Sequence, residues 1–315
     1  MRAAAVPPPA EDPSSPPTSQ GRERTPAVLR ALLAGLIDYA GLFPPASLDM
    51  PEVANRYGDY ASSDESWLLG RLVVPVAQLA ELAETLRSRE GTPFLISALI
   101  GDDVDADART IARCNEQWAQ HLKVDTCELR GTTPAQIAHA ARALAGEYTV
   151  YVEVASSVDQ AILLDVVAAE HVRAKIRTGG VTADAFPSSL EVARFLQRCA
   201  ERTLAFKATA GLHHPIRGTY RLTYDSDASR GVMLGFLNLF LGATLVRQRV
   251  EQDELVAILE ETDPASFAIA DNAISWRERA LTETAIARAR REFAVAFGSC
   301  SFREPVDDLR QLGLL

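Results

Sequence analysis

Short runs of β-branched and aliphatic residues alternate with longer stretches of amphipathic helical spacing along most of this 315-residue chain. That alternation restricts the fold more than any other feature. Strand-like runs lie at 37–39, 71–75, 94–100, 124–129 and 149–154, then around Lys175 and around Lys207, with a weaker eighth at 267–270. Helical spacing fills the gaps, as over 76–87, 107–120, 134–145 and 190–202. The strand runs are near-continuously apolar, the pattern of parallel strands covered on both faces. Eight such βα units closing on themselves make a (β/α)₈ TIM barrel, whose active sites lie at the C-terminal strand ends. A doubly wound open sheet would carry a Gly-rich phosphate loop after its first strand. None stands there. The expected class is therefore α/β, one barrel domain over residues 26–315.

Two segments fall outside the repeat. Residues 1–25, with Pro7-Pro8-Pro9 and Ser14-Ser15-Pro16-Pro17, bury too little apolar surface to offset ordering entropy and predict a disordered tail. Thr25 as N-cap and Pro26 at the first helical position then open a helix. After Lys207 the spacing breaks again. His213-His214-Pro215 and a polar, aromatic stretch to Ser229 predict an insertion or lid before the last unit. From about Gly231 to Val250 the chain reads as a helix apolar on nearly all sides, to be buried in the barrel wall or in a homo-oligomer contact. The charges of 277–292 read as a solvated helix face.

The net charge of −10 argues against nucleic acid or an anionic membrane as partner. No window holds eighteen consecutive apolar residues, and the opening apolar run is too short for a signal peptide. Cys114, Cys127, Cys199 and Cys300 lack C-x-x-C spacing and fit a reduced, cytoplasmic protein. Cys300, in a small-residue turn, reads as a buried structural thiol.

The chemistry lies in two lysines. Lys175 and Lys207 sit at matching places in consecutive apolar runs, about one βα unit apart, each followed closely by Thr and Gly. A lysine in an apolar strand is costly unless its head is paired, wet or reactive. Two on neighbouring strands repel, which favours the neutral, nucleophilic form of one and hence a Schiff base. The alternative is that both heads simply pair with Glu or Asp at strand ends.

In that order the chain resembles the 2-deoxyribose-5-phosphate aldolase family, class I lysine aldolases built on a (β/α)₈ barrel. The resemblance runs through Ile37-Asp38-Tyr39-Ala40, Val73-Val74-Pro75, Lys123-Val124-Asp125 and Val150-Tyr151-Val152-Glu153. It continues in Lys175-Ile176-Arg177-Thr178-Gly179 and Lys207-Ala208-Thr209-Ala210-Gly211-Leu212-His213. It implies a cofactor-independent aldolase or related carbon–carbon lyase. Lys175 would form the Schiff base, Lys207 would stay cationic and depress the pKa of Lys175 toward about 7–8, and Asp125 would shuttle protons through a water. Departures matter too. Ala210 stands where the family has the first Gly of its phosphate-holding pair, and residues 267–275 offer no counterpart of the family's last turn. Deoxyribose 5-phosphate is thus not the expected substrate.

Around the lysines, strand parity leaves two choices: Asp125, Cys127 and Leu129 face inward, or Thr126, Glu128 and Arg130 do. Arg177 adds positive charge suited to an anionic group on a small carbonyl substrate. Thr178 and Gly179 offer backbone N–H groups to an anion, or merely a tight turn. Asp38 is a candidate lysine partner near the substrate, and Glu153 either pairs with a lysine or transfers protons directly. His213 is a contact or proton-transfer candidate, since adjacent histidines on extended chain point opposite ways and only one faces the site. A metal-assisted lyase built on Glu128, Glu153 and His213, and a non-catalytic barrel serving as a binding or assembly subunit, are the competing readings.

Overall fold

In the computed structural model, which describes residues 25–155 and 160–315, eight parallel strands close into a barrel. The expected disordered tail, apart from Thr25, lies outside the described residues. The chain enters through α1 (Ala27–Leu33) and lays down β1 (Ile37–Tyr39), α2 (Met50–Ala61), β2 (Leu69–Pro75), α3 (Leu79–Thr85), β3 (Phe94–Leu99) and α4 (Val104–Gln117). It continues through β4 (Leu122–Arg130), α5 (Pro134–Leu144), β5 (Thr149–Glu153), α6 (Gln160–Ala169), β6 (Arg173–Arg177), α7 (Ser189–Glu201) and β7 (Phe206–Thr209). Helix starts follow local chemistry: Asp49, Asp103 and Thr133 each accept from a first-turn amide, and Ser188 with Glu191 forms a reciprocal capping box. At α1 the cap differs from expectation. Pro26 is the N-cap, and the Ala27 amide donates to Asp271 Oδ1 at 3.2 Å, a carboxylate far along the chain.

The eighth barrel strand is not at 267–270. Phe267–Ile269 forms β10 and turns back on β11 (Ala273–Trp276) and β12 (Arg279–Thr282) in a small antiparallel sheet. The barrel closes instead with β13 (Ala294–Ser299), paired to β7 and to β1, where Ile37 meets Phe297 and Tyr39 meets Ser299. Between β7 and β13 the insertion holds a hairpin of β8 (Gly218–Arg221) and β9 (Arg230–Met233). It then adds α8 (Phe236–Val246), α9 (Gln252–Glu260), the antiparallel sheet and α10 (Glu283–Glu292). The apolar helix is shorter than its pattern because Arg230–Met233 pairs as strand. All of α8 is buried within one chain, packed on α9, α10 and α7, so its apolarity needs no second subunit. Arg290 also departs from a solvated face. It is buried and donates to the carbonyls of Leu32 (2.7 Å), Ala34 (3.0 Å), Ala294 (2.7 Å) and Val295, tying α1 to the start of β13. The chain ends in α11 (Arg303–Gln311). Among the described residues no helix is long and apolar enough to cross a membrane.

Candidate active site

Parallel pairing puts Glu153, Lys175 and Lys207 side by side on β5, β6 and β7. Their side chains therefore point the same way, into the barrel. Glu128 on β4 faces them, and its carboxylate is the hub. One oxygen meets Lys175 Nζ at 2.9 Å, and the other meets Lys207 Nζ at 2.5 Å and accepts from Ser97 Oγ at 2.6 Å. Glu153 holds Lys175 from the other side at 2.9 Å and Arg177 Nε at 3.0 Å. Asp38 completes the pairing of Lys207 at 2.5 Å and accepts from the Arg71 amide at 2.7 Å. Gly70 makes room for it, since a Cβ there would lie 2.2 Å from Asp38 Oδ1.

Of the two sequence alternatives for the lysines, the structure shows the pairing: each head is paired with acids, and both pair with the same carboxylate. Glu128 stands between the two ammonium groups, so neither faces the other unshielded. Burial pushes the Glu128 carboxyl up, but Lys175 and Lys207 outweigh it and hold the group well below the usual carboxylate range. Glu153 is likewise lowered, burial being overcome by Lys175 and Arg177. For Lys207, burial disfavours the ammonium, yet Asp38 and Glu128 raise its pKa above the ordinary lysine value. Lys207 is a fixed cation.

The two lysines differ in access. A cavity of about 660 Å³ opens at the C-terminal strand ends and is lined by Lys175, Glu128, Glu153, Arg177, Arg130 and His213. Lys207, 1% exposed, lies outside that lining. Asp38 is buried with Lys207 and also stands off the cavity.

Asp125 does not join the site. Its carboxylate forks onto Arg71 at 2.5 and 2.8 Å, and its lowered pKa reflects burial overcome by that arginine. The physical reason is a register shift. Ile96 pairs with Val124 and Ser97 with Thr126, so Asp125 is an extra residue in the strand, and the bulge resets parity to bring Thr126 and Glu128 inward. Thr178 and Gly179 are likewise not on the cavity wall, which Gly180 and Val181 line instead. The Thr178 hydroxyl donates to the carbonyls of Ala210 (2.7 Å) and Thr209 (3.3 Å). A Cβ on Gly179 would lie 2.5 Å from Phe186 Cε1 and 2.8 Å from Gly211 Cα, so this glycine serves close packing of the turns after β6 and β7. His213 faces the cavity, while His214 turns to Asp308 at 2.6 Å and stacks on Tyr220. Arg130, at the end of β4 and 3.9 Å from Glu153, joins Arg177 as a second cation on the cavity.

The three groups of the metal-assisted reading have other partners: Glu128 and Glu153 are engaged by Lys175, and His213 by Glu304 at 2.9 Å. No set of three or more His, Cys, Asp or Glu side chains among the described residues is placed to hold a metal ion. Comparison of the chain with protein-family models and with curated proteins returned no match.

Proposed function

We propose that the protein is a lysine-dependent carbon–carbon lyase or aldolase acting on a small carbonyl compound that bears an anionic group. The observation that supports this best is the unequal access of the paired lysines. Lys175 lines the cavity between two carboxylates, while Lys207 is sealed behind Glu128.

Lys175 first loses a proton to Glu153 or Glu128, each within 2.9 Å. Its free amine attacks the carbonyl carbon, and loss of water yields an iminium ion. The iminium draws electrons from a C–C bond beta to it. That bond breaks to an enamine as the hydroxyl on the departing carbon gives up its proton. Glu128 takes this proton transiently, and Lys207, held positive beneath it, returns Glu128 to its ionised form. Condensation is the reverse. Arg130 and Arg177 would bind the anionic group of the substrate.

The enamine half-reaction is testable by deuterium exchange. Incubated in D₂O with short aldehydes and α-keto acids, the protein should exchange the α-hydrogens of at least one, read by proton NMR. Lys175→Ala should abolish this, and Glu128→Gln should slow it roughly 10²-fold. Equal exchange in wild type and Lys175→Ala, or none with any carbonyl, would defeat the proposal.

A further inference from the structure

One and two strands round the barrel from Lys175, the loops after β7 and β13 bring a thiol, an imidazole and a carboxylate into series. Cys300, the first residue past β13, places Sγ 4.0 Å from His213 Nε2. The other ring nitrogen, Nδ1, meets Glu304 Oε2 at 2.9 Å, from the first turn of α11. The Tyr224 hydroxyl, from the hairpin loop, lies 3.5 Å from Cys300 Sγ and donates to Glu304 at 3.2 Å. His214, pinned by Asp308 and Tyr220, fixes the backbone that carries His213. Cys300 and His213 both line the cavity, whereas Cys114, Cys127 and Cys199 do not.

We propose that Cys300, His213 and Glu304 form a second catalytic centre on this cavity, a thiol nucleophile that accepts an acyl group from an ester or thioester. The series of nucleophile, base and orienting carboxylate is the arrangement acyl transfer requires, and the sulfur–nitrogen gap closes when substrate engages. Sγ attacks the acyl carbon, forming the S–C bond while the carbonyl π pair moves to oxygen. Collapse restores the carbonyl and breaks the bond to the leaving alkoxide or thiolate. The proton that Sγ and His213 Nε2 share passes to that leaving group. Water then gives a proton to the same nitrogen, attacks the thioester and releases the carboxylic acid, and the sulfur recovers its proton. No oxidant or reductant enters. Burial disfavours a charged His213 ring, but hydrogen bonding to Cys300 and Glu304 raises its pKa to about 10, so the ring holds a proton readily at this place. Glu304 acts through the ring and is a positioning residue. This centre does not rest on the Lys175 chemistry.

The test uses p-nitrophenyl acetate with the full chain at neutral pH, reading p-nitrophenolate release and mapping the adduct by peptide mass. The expected result is a burst with a single acetyl group on Cys300 that hydrolyses with time. His213→Ala should slow acylation roughly 10²-fold. Glu304→Gln should shift its pH profile, with Glu304→Asp restoring part of the rate. Thermal unfolding of each variant shows that it is folded, and the wild-type adduct map needs no variant. Acetyl groups on Lys175 or surface amines with none on Cys300 would overturn the proposal. So would equal Cys300 acylation rates in wild type and folded His213→Ala. Because the readout is a mass on Cys300, failure here leaves the fate of Lys175 untouched.

Discussion

At the scale of single residues, Glu128 decides the character of the site. Its carboxylate is 2% exposed and touches both lysine heads, so removing any one of the three takes a counter-ion from a buried charge. Lys207→Met should therefore destabilise the protein by about 3–5 kcal/mol, because Asp38 and Glu128 lose their shared cation. Urea unfolding at neutral pH measures this, and a change below about 1 kcal/mol, the scale of an exposed ion pair, would show that the network contributes no more than a surface contact. The lysines themselves are legible in the sequence because a charged residue in an apolar run is conspicuous. Glu128 is legible only as one of two parities. The choice turns on the extra residue at Asp125, which depends on how β4 registers against β3. Cys300 reads as an inert thiol because its partners, His213 and Glu304, arrive from other elements.

At the scale of elements, the two turns that follow β6 and β7 lock against each other. Gly179 and Gly211 meet backbone to backbone, and Thr178 bridges to the β7 turn. Gly211 also has φ of +72°, a conformation glycine adopts without strain. Gly179→Ala should cost about 1–3 kcal/mol by overpacking against Phe186 and Gly211. Thermal unfolding checks this, and a variant as stable as wild type would mean the turns separate freely. Elements β1–β7 and most of their helices are legible because hydrophobic period and caps are local. The last strand is not. Phe267–Ile269 has strand composition but pairs antiparallel with its own neighbour, while β13 follows a helix whose charges include the buried Arg290. Only closure of the barrel against β1 distinguishes them.

At the scale of the whole molecule, charge inside the barrel sets the pH range of stability. Glu128 and Glu153 have lowered folded pKa values, so their contribution is present above the unfolded value of about 4.3 and is lost as pH falls through the folded values. Lys207 and His213 are raised. Their contribution is full below their unfolded values, about 10.4 and 6.5, and is lost as pH rises through the folded ones. Stability should thus peak between about pH 5 and 6.5 and decline toward pH 10 as His213, faced by Cys300, Glu304 and Tyr224 with His214 beside it, gives up its proton. In His213→Ala the slope between about pH 6.5 and 10 should flatten, as denaturant midpoints across that range would report. An unchanged slope would place the titrating group elsewhere.

In the proposed reaction, only Lys175 of the two paired lysines reaches substrate. Borohydride reduction in the presence of short aldehydes and α-keto acids, followed by peptide mass mapping, tests it most directly. A reduced adduct on Lys175, lost in Lys175→Ala and never found on Lys207, is the predicted result. An adduct on Lys207, or none on either lysine with any carbonyl, would contradict it.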